Sequence, residues 1–294
     1  MAKIKKVQDE FTRTWIIEHA LEIIKRYKPG ELTIRALHYQ LVGDGMTNTM
    51  QHYRRVVGAM ELARWGGDVP FGTFSDLDRE MVGETRAEET DVYEQIELAK
   101  EQIQSWMDFY SKNRWENQPI YTELFIEKKA LQNVFQSVCR NNNVALGCCK
   151  GYPSLTFLHE TAKRLKKYHR DKECIILYFG DYDPSGENIP VSVEENLRKM
   201  GCDVEVRRFA LFREQVEEWD LPPAPAKEGD PRTANWTGIG QVELDAVKPE
   251  KLKEMAQEAI NSVFDASLHA DLLEIEENEL EIYQQALKKY ASEL

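Results

Sequence analysis

Cys174-Ile-Ile-Leu-Tyr-Phe-Gly-Asp-Tyr-Asp-Pro-Ser-Gly186 is the stretch that decides how this chain is read. An apolar run of strand length delivers Asp181 and Asp183 to a turn closed by Pro184 and Gly186. Alternate side chains of an extended backbone point the same way, so both carboxylates can face one hard cation. An earlier run, Tyr121-Thr-Glu-Leu-Phe-Ile126, ends in the same manner at Glu127. In an open α/β sheet, functional groups gather at the carboxyl ends of the strands. Glu127, Asp181 and Asp183 are therefore expected to form a Mg²⁺ site for phosphate chemistry, with Mn²⁺ an acceptable substitute. The plainer alternative for an isolated Asp-x-Asp is a solvated turn.

Outward from these runs, strands and helices alternate. Strands are expected at 121–126, 144–148, 174–180 and 203–210, with helices near 128–139, 154–168 and 186–199 between them. That alternation predicts a parallel sheet with crossover helices over residues 119–248. Residues 221–240 are Pro/Gly-rich and read as irregular. Residues 249–294 read as acidic helices that pack on the sheet body through Leu272, Ile275, Leu280 and Tyr283. No Gly-x-x-x-x-Gly-Lys loop occurs, so no P-loop ATP site is expected in this chain.

Residues 8–80 read differently, as a compact all-α domain. Phe11, Trp15, Ile16, Ala20, Ile23 and Ile24 fall at helical spacing. Thr33 is placed to cap a second helix whose buried stripe is Ile34, Leu37 and Leu41. A third helix is expected from about Thr47 to Trp65, burying Met50, Tyr53, Val57 and Met60 and stopping at Gly66-Gly67. Three short helices before a Gly/Pro-rich turn suggest a helix-turn-helix or winged-helix DNA-binding module. Residues 81–118 read as an acidic, then helical, connector.

Arg35 and Tyr39 are four residues apart on that second helix and share a face. Tyr39 lies roughly 140° from Ile34 on a 3.6-residue helix, off the buried stripe. A phenol beside a guanidinium suits attack on a phosphodiester, with the Arg holding the phosphate. The plainer alternative is that both side chains pack against a neighbouring domain. His38 is placed to orient the phenol or take its proton, unless it is simply packed. Arg54, Arg55 and Arg64 are candidate contacts to a DNA backbone, and Lys128 to a phosphate near the metal. Glu243 and Asp245 are candidates to join the acidic site.

Bulk properties set the limits. Charged residues make up 30% of the 294, an ordinary share for a soluble globular protein with room for two domains. No run approaches the roughly 18 apolar residues of a membrane-spanning helix, and the N-terminus does not read as a signal peptide. The five cysteines, 139, 148, 149, 174 and 202, are odd in number and lack a Cys-x-x-Cys spacing. Reduced thiols and a cytoplasmic location are expected. The net charge of −13 weighs against nucleic acid, but residues 1–65 carry 11 Lys/Arg against 7 Asp/Glu. The remainder carries 27 against 44, so only the N-terminal part is suited to phosphate.

With these residues in place, the chain resembles a known superfamily. Glu127 after one strand and Asp181-x-Asp183 after a later one are similar to the acidic cluster of the TOPRIM domain, shared by topoisomerases, primases and several nucleases. Thr33-Ile-Arg-Ala-Leu-His-Tyr39 resembles the winged-helix motif of the topoisomerase VI A subunit and its meiotic double-strand-break relatives. Val242-Glu-Leu-Asp-Ala246 resembles that family's late Glu-containing motif. Leu221-Pro-Pro-Ala-Pro-Ala-Lys227 resembles its short stand-alone bacterial and phage versions, called mini-A. The likeness spans about residues 30–247. It departs from the family in having His38-Tyr39 where two adjacent tyrosines are usual.

The resemblance implies a fold and a mechanism. The fold would be a winged helix followed by a TOPRIM domain. Tyr39, assisted by Arg35, would attack double-stranded DNA and remain linked to its 5′ end. Mg²⁺ on Glu127, Asp181 and Asp183 would position the phosphate. Tyrosine and metal site would come from different subunits of a homodimer, giving a type IIB topoisomerase-like break in both strands. No segment reads as a dock for the separate ATPase subunit that completes such enzymes, so that partner stays an open question. Two alternatives remain: a hydrolytic TOPRIM nuclease forming no covalent link, and a non-catalytic DNA-binding subunit.

Overall fold

The computed structural model describes residues 10–75, 91–106, 109–169, 171–223 and 240–293. Three helices open the chain: α1 (Arg13–Ile24), α2 (Ile34–Gly43) and α3 (Met50–Gly66). Each begins on a threonine in extended backbone whose hydroxyl accepts a first-turn N–H. Thr12 takes Trp15 N, Thr33 takes Ala36 N and Thr49 takes His52 N. Ile16, Ala20, Ile23, Leu37, Leu41, Val56 and Met60 form their shared core. A single bridge joins Leu32 to Phe74, and the described residues of this part contain no β-ribbon that would form a wing.

The buried stripe of α3 differs from expectation. His52, Val56, Ala59, Met60 and Ala63 face the core, while Met50 is half exposed and Tyr53 and Val57 are only partly buried. Small alanines close the helix packing here, and they carry little signal in a hydrophobicity pattern. Helix α4 (Val92–Trp106) follows. Residues 81–90 and 107–108 of the expected connector, and 76–80 at the end of the N-terminal part, lie outside the described residues.

From Ile120 the expected alternation is present. Strands β1 (Ile120–Ile126), β2 (Ala145–Cys148), β3 (Glu173–Phe179) and β4 (Val204–Ala210) form one parallel sheet in the order β2-β1-β3-β4. The crossovers contain α5 (Gln132–Asn141), α6 (Leu155–Tyr168) and α7 (Pro184–Lys199). Ile175, Leu177 and Phe179 of β3 enter the core shared with α5, whereas Cys174, Ile176 and Tyr178 enter the core under α6 and α7. Burial on both faces is why this strand reads as an unbroken apolar run. On the α6 side, buried Glu123 is held bidentately by Arg164, with both N–O distances 2.8 Å.

Helices α8 (Arg213–Glu218), α9 (Pro249–Asn261) and α10 (Ala266–Glu293) complete the chain. Helix α9 supplies Leu252, Met255, Ala256 and Ile260 to the α5-side core. Leu272 anchors α10, but Ile275, expected to pack, is 47% exposed. Most of the segment resembling the mini-A proteins, residues 224–227 of 221–227, lies outside the described residues. No helix among the described residues is long and apolar enough to cross a membrane.

Candidate active site

Sheet order places the acidic residues together. Strands β1 and β3 are neighbours in register, Ile126 opposite Phe179, and Glu127 N donates to Phe179 O at 2.9 Å. The chain therefore leaves both strands at one edge, with Glu127 beside Asp181. Asp181 N donates to Glu127 Oε2 at 3.0 Å, and the Tyr178 hydroxyl donates to the same oxygen at 3.3 Å. Gly180 leaves room for this arrangement, since a Cβ would lie 2.6 Å from the buried Tyr178 ring and 2.8 Å from Glu127 Oε2. Gly186 is required: a Cβ would lie 2.1 Å from the Asp181 carbonyl oxygen.

The later acids are recruited by backbone pairing. Tyr182 N donates to Val242 O at 2.8 Å and Val242 N returns to Tyr182 O at 3.0 Å. This bridge brings Glu243 and Asp245 to the β3 exit, Asp245 on the short 3₁₀ turn Leu244–Ala246 and Glu243 just before it. Leu244 N then donates to Asp181 Oδ1 at 2.8 Å. Arg208 at the end of β4 donates to Asp181 O at 3.0 Å, fixing the turn from the other side. Sequence reading did not single out Arg208 or Tyr178, whose roles depend on contacts to backbone and to one carboxylate oxygen.

The three expected ligands are close but differently engaged. Asp183 N-caps α7 through Gly186 N, at 2.7 Å. Asp181 turns its other oxygen to Lys128, whose Nζ is 3.0 Å from Asp181, 3.1 Å from Glu243 and 3.0 Å from Asp245. Lys128, a candidate phosphate contact, turns its ammonium into the acidic cluster. Burial pushes the Asp181 carboxyl up to about 7, with Glu127 adding to the rise and Lys128 opposing it. Burial also raises Glu127, reinforced by Asp183. Glu243 is held below the usual carboxylate range because Lys128 and Arg35 outweigh its burial.

Among the described residues, no three His, Cys, Asp or Glu side chains already form a metal-holding group. The donor chemistry nevertheless fits Mg²⁺. Three carboxylates, Asp181, Glu243 and Asp245, converge on Lys128, Glu243 also meets Arg35, and buried Asp245 Oδ1 has no hydrogen-bond partner. Mg²⁺ is commonly held by one or two carboxylates, water and substrate phosphate. Glu127 and Asp183 are the pair not drawn to Lys128.

Helix α2 abuts this cluster. Arg35 donates bidentately to Glu243, and the Tyr39 phenol lies beside the Arg35 guanidinium. Tyr39 lies off the stripe that packs the three helices together, yet it is 3% exposed and belongs to the sheet-side core, the packing that was the plainer alternative. Helix α2 is buried on two sides, against its sister helices through Leu37 and Leu41 and against the sheet body through Tyr39. Burial pushes the phenol well above its ordinary range; Glu243 adds to this, and Arg35 and Lys128 oppose it. His38 is packed, its Nε2 3.2 Å from Asn48 Oδ1, and its Nδ1 makes no hydrogen bond. Arg54 is exposed, Arg55 is partly buried, and the Arg64 guanidinium sits 5.6 Å over the Phe74 ring.

Comparison of the chain with protein-family models, with curated proteins and with solved structures finds no match.

Proposed function

We propose that this chain is a metal-assisted DNA-cleaving transesterase of the topoisomerase VI A-like kind, with Tyr39 as nucleophile. The observation that carries this reading is the continuity of phenol, guanidinium and acids. Arg35 joins Tyr39 to Glu243, and Lys128 joins Glu243 to Asp181 and Asp245. A structural arginine alone would not explain five carboxylates gathered at two strand ends beside a tyrosine.

In this mechanism a backbone phosphate of double-stranded DNA takes over Arg35. Glu243, released from its partner, accepts the phenolic proton as Tyr39 oxygen attacks phosphorus. The P–O3′ bond breaks, leaving a phosphotyrosyl 5′ end and a 3′ oxygen that takes up a proton as a hydroxyl. Mg²⁺ or Mn²⁺ at Glu127 and Asp183 would supply neutralisation of charge on the phosphate oxygens. Arg54 and Arg55 of α3 belong to the DNA-facing surface, and cutting both strands requires a homodimer.

The burial of Tyr39 favours a second reading. A phenol that stays enclosed and protonated would leave the acidic cluster to cut DNA hydrolytically, without an adduct. Incubating the protein with supercoiled plasmid and Mg²⁺ or Mn²⁺, then stopping with detergent, separates the two. Nicked or linear DNA bearing protein, lost in Tyr39→Phe and in Asp181→Ala, is the expected outcome. Protein-free cuts that survive Tyr39→Phe but not Asp181→Ala would establish the hydrolytic reading instead.

A further inference from the structure

The acidic cluster is divided into two halves by its own backbone. Lys128 has extended dihedrals, φ −108° and ψ 122°, so its side chain leaves opposite to that of Glu127. Glu127 faces Tyr178 and the Asp181 amide. Lys128 faces the other way, and its Nζ sits within 3.1 Å of Asp181, Glu243 and Asp245. Those three carboxylates are buried, and they converge on a single ammonium. Asp245 is the most enclosed, at 1% exposure; one oxygen meets Lys128 and the other meets no donor. A carboxylate buried this way is held by charge and not by a hydrogen-bond network.

We propose that Lys128 is a resident cation filling one of two cation positions in the cluster, so that the site takes a single divalent ion. The inference rests on the metal-assisted reading above and specifies which residues hold the ion. Glu127 and Asp183 hold it; Asp181, Glu243 and Asp245 are satisfied by the ammonium. Lys128 thereby does the electrostatic work that a second ion does in two-metal phosphoryl-transfer sites. Unlike an ion it cannot dissociate, so the Glu243 end of the cluster, next to Arg35 and Tyr39, stays neutralised at any metal concentration.

Replacing the ammonium by an apolar side chain of similar length leaves three carboxylates around an empty position. Lys128→Met should therefore acquire a second ion. The test is calorimetric titration of the metal-free full chain with Mn²⁺, together with electron paramagnetic resonance of the saturated protein. One Mn²⁺ per wild-type chain with the spectrum of an isolated ion, one in Lys128→Arg, and two magnetically coupled ions in Lys128→Met are expected. Two ions in the wild type, or one in a folded Lys128→Met, would overturn the inference while leaving metal-assisted cleavage standing. No Mn²⁺ in the wild type would overturn the metal reading itself, and the inference with it. Should Lys128→Met fail to fold, Lys128→Gln removes the charge with a polar side chain; it is expected to take the second ion, and one ion in it would overturn the inference.

Discussion

Arg35 and Glu243 lie 208 residues apart and form a two-pronged ion pair that fastens the N-terminal helices to the acidic edge of the sheet. Glu243 is 10% exposed at this pair and Arg35 42%, so the contact is only partly screened by water. A double-mutant cycle of Arg35→Ala and Glu243→Gln in urea should give a coupling of about 1 kcal/mol. Additive effects would mean that other contacts hold the two parts together.

Asp181 should give the metal-free protein a pH signature. Its carboxyl stands at about 7 in the fold against an ordinary 3.8. The folded state thus keeps a proton that the unfolded chain releases, and this stabilisation is complete below about 3.8. It is lost as pH rises toward 7. Urea midpoints measured across that window should fall more steeply for the wild type than for Asp181→Asn. Parallel slopes would remove Asp181 as the source.

Gly186 lets the α7 N-terminus approach the Asp181 carbonyl, where a Cβ would sit at 2.1 Å. Backbone must shift to relieve that contact. Gly186→Ala should cost about 1–3 kcal/mol of stability, in line with other overpacked sites. It should also weaken Mn²⁺ binding, because the Asp181–Asp183 turn moves. Thermal unfolding and titration of the same preparation check both effects.

Glu123 and Arg164 test the sheet independently of the site. Glu123 is 1% exposed and takes both Arg164 nitrogens at 2.8 Å, with the Tyr121 hydroxyl at 3.0 Å. Arg164→Met strands a buried carboxylate and should cost about 3 kcal/mol in denaturant unfolding. Adding Glu123→Gln should recover part of that loss, and neither change should alter Mn²⁺ stoichiometry.

The strands were legible because burial on both faces writes itself as unbroken apolar runs, as in Cys174–Phe179. The meeting of Glu127 and Asp181 was legible because the apolar runs before them are strands, and these pair in register. Tyr39 was not. A single amphipathic stripe reports one buried face, and α2 is buried against its sister helices and against the sheet body at once. Lys128 was legible as a cation next to Glu127, but not as one turned inward. Its three partners are set by an extended residue at the β1 exit and by the Tyr182–Val242 bridge, far along the chain. In α3 the core rests on Ala59 and Ala63, which hydrophobicity patterns weigh lightly.

A covalent bond at Tyr39 separates transesterification from hydrolysis most directly. A detergent-stopped reaction on duplex DNA, digested with nuclease and protease, exposes that bond to mass spectrometry of the peptide spanning Arg35 to Asp44. A deoxynucleotide 5′-phosphate on Tyr39, absent from Asp181→Ala, is the predicted result. Cleaved DNA with free 5′-phosphates and an unmodified Tyr39 would contradict it.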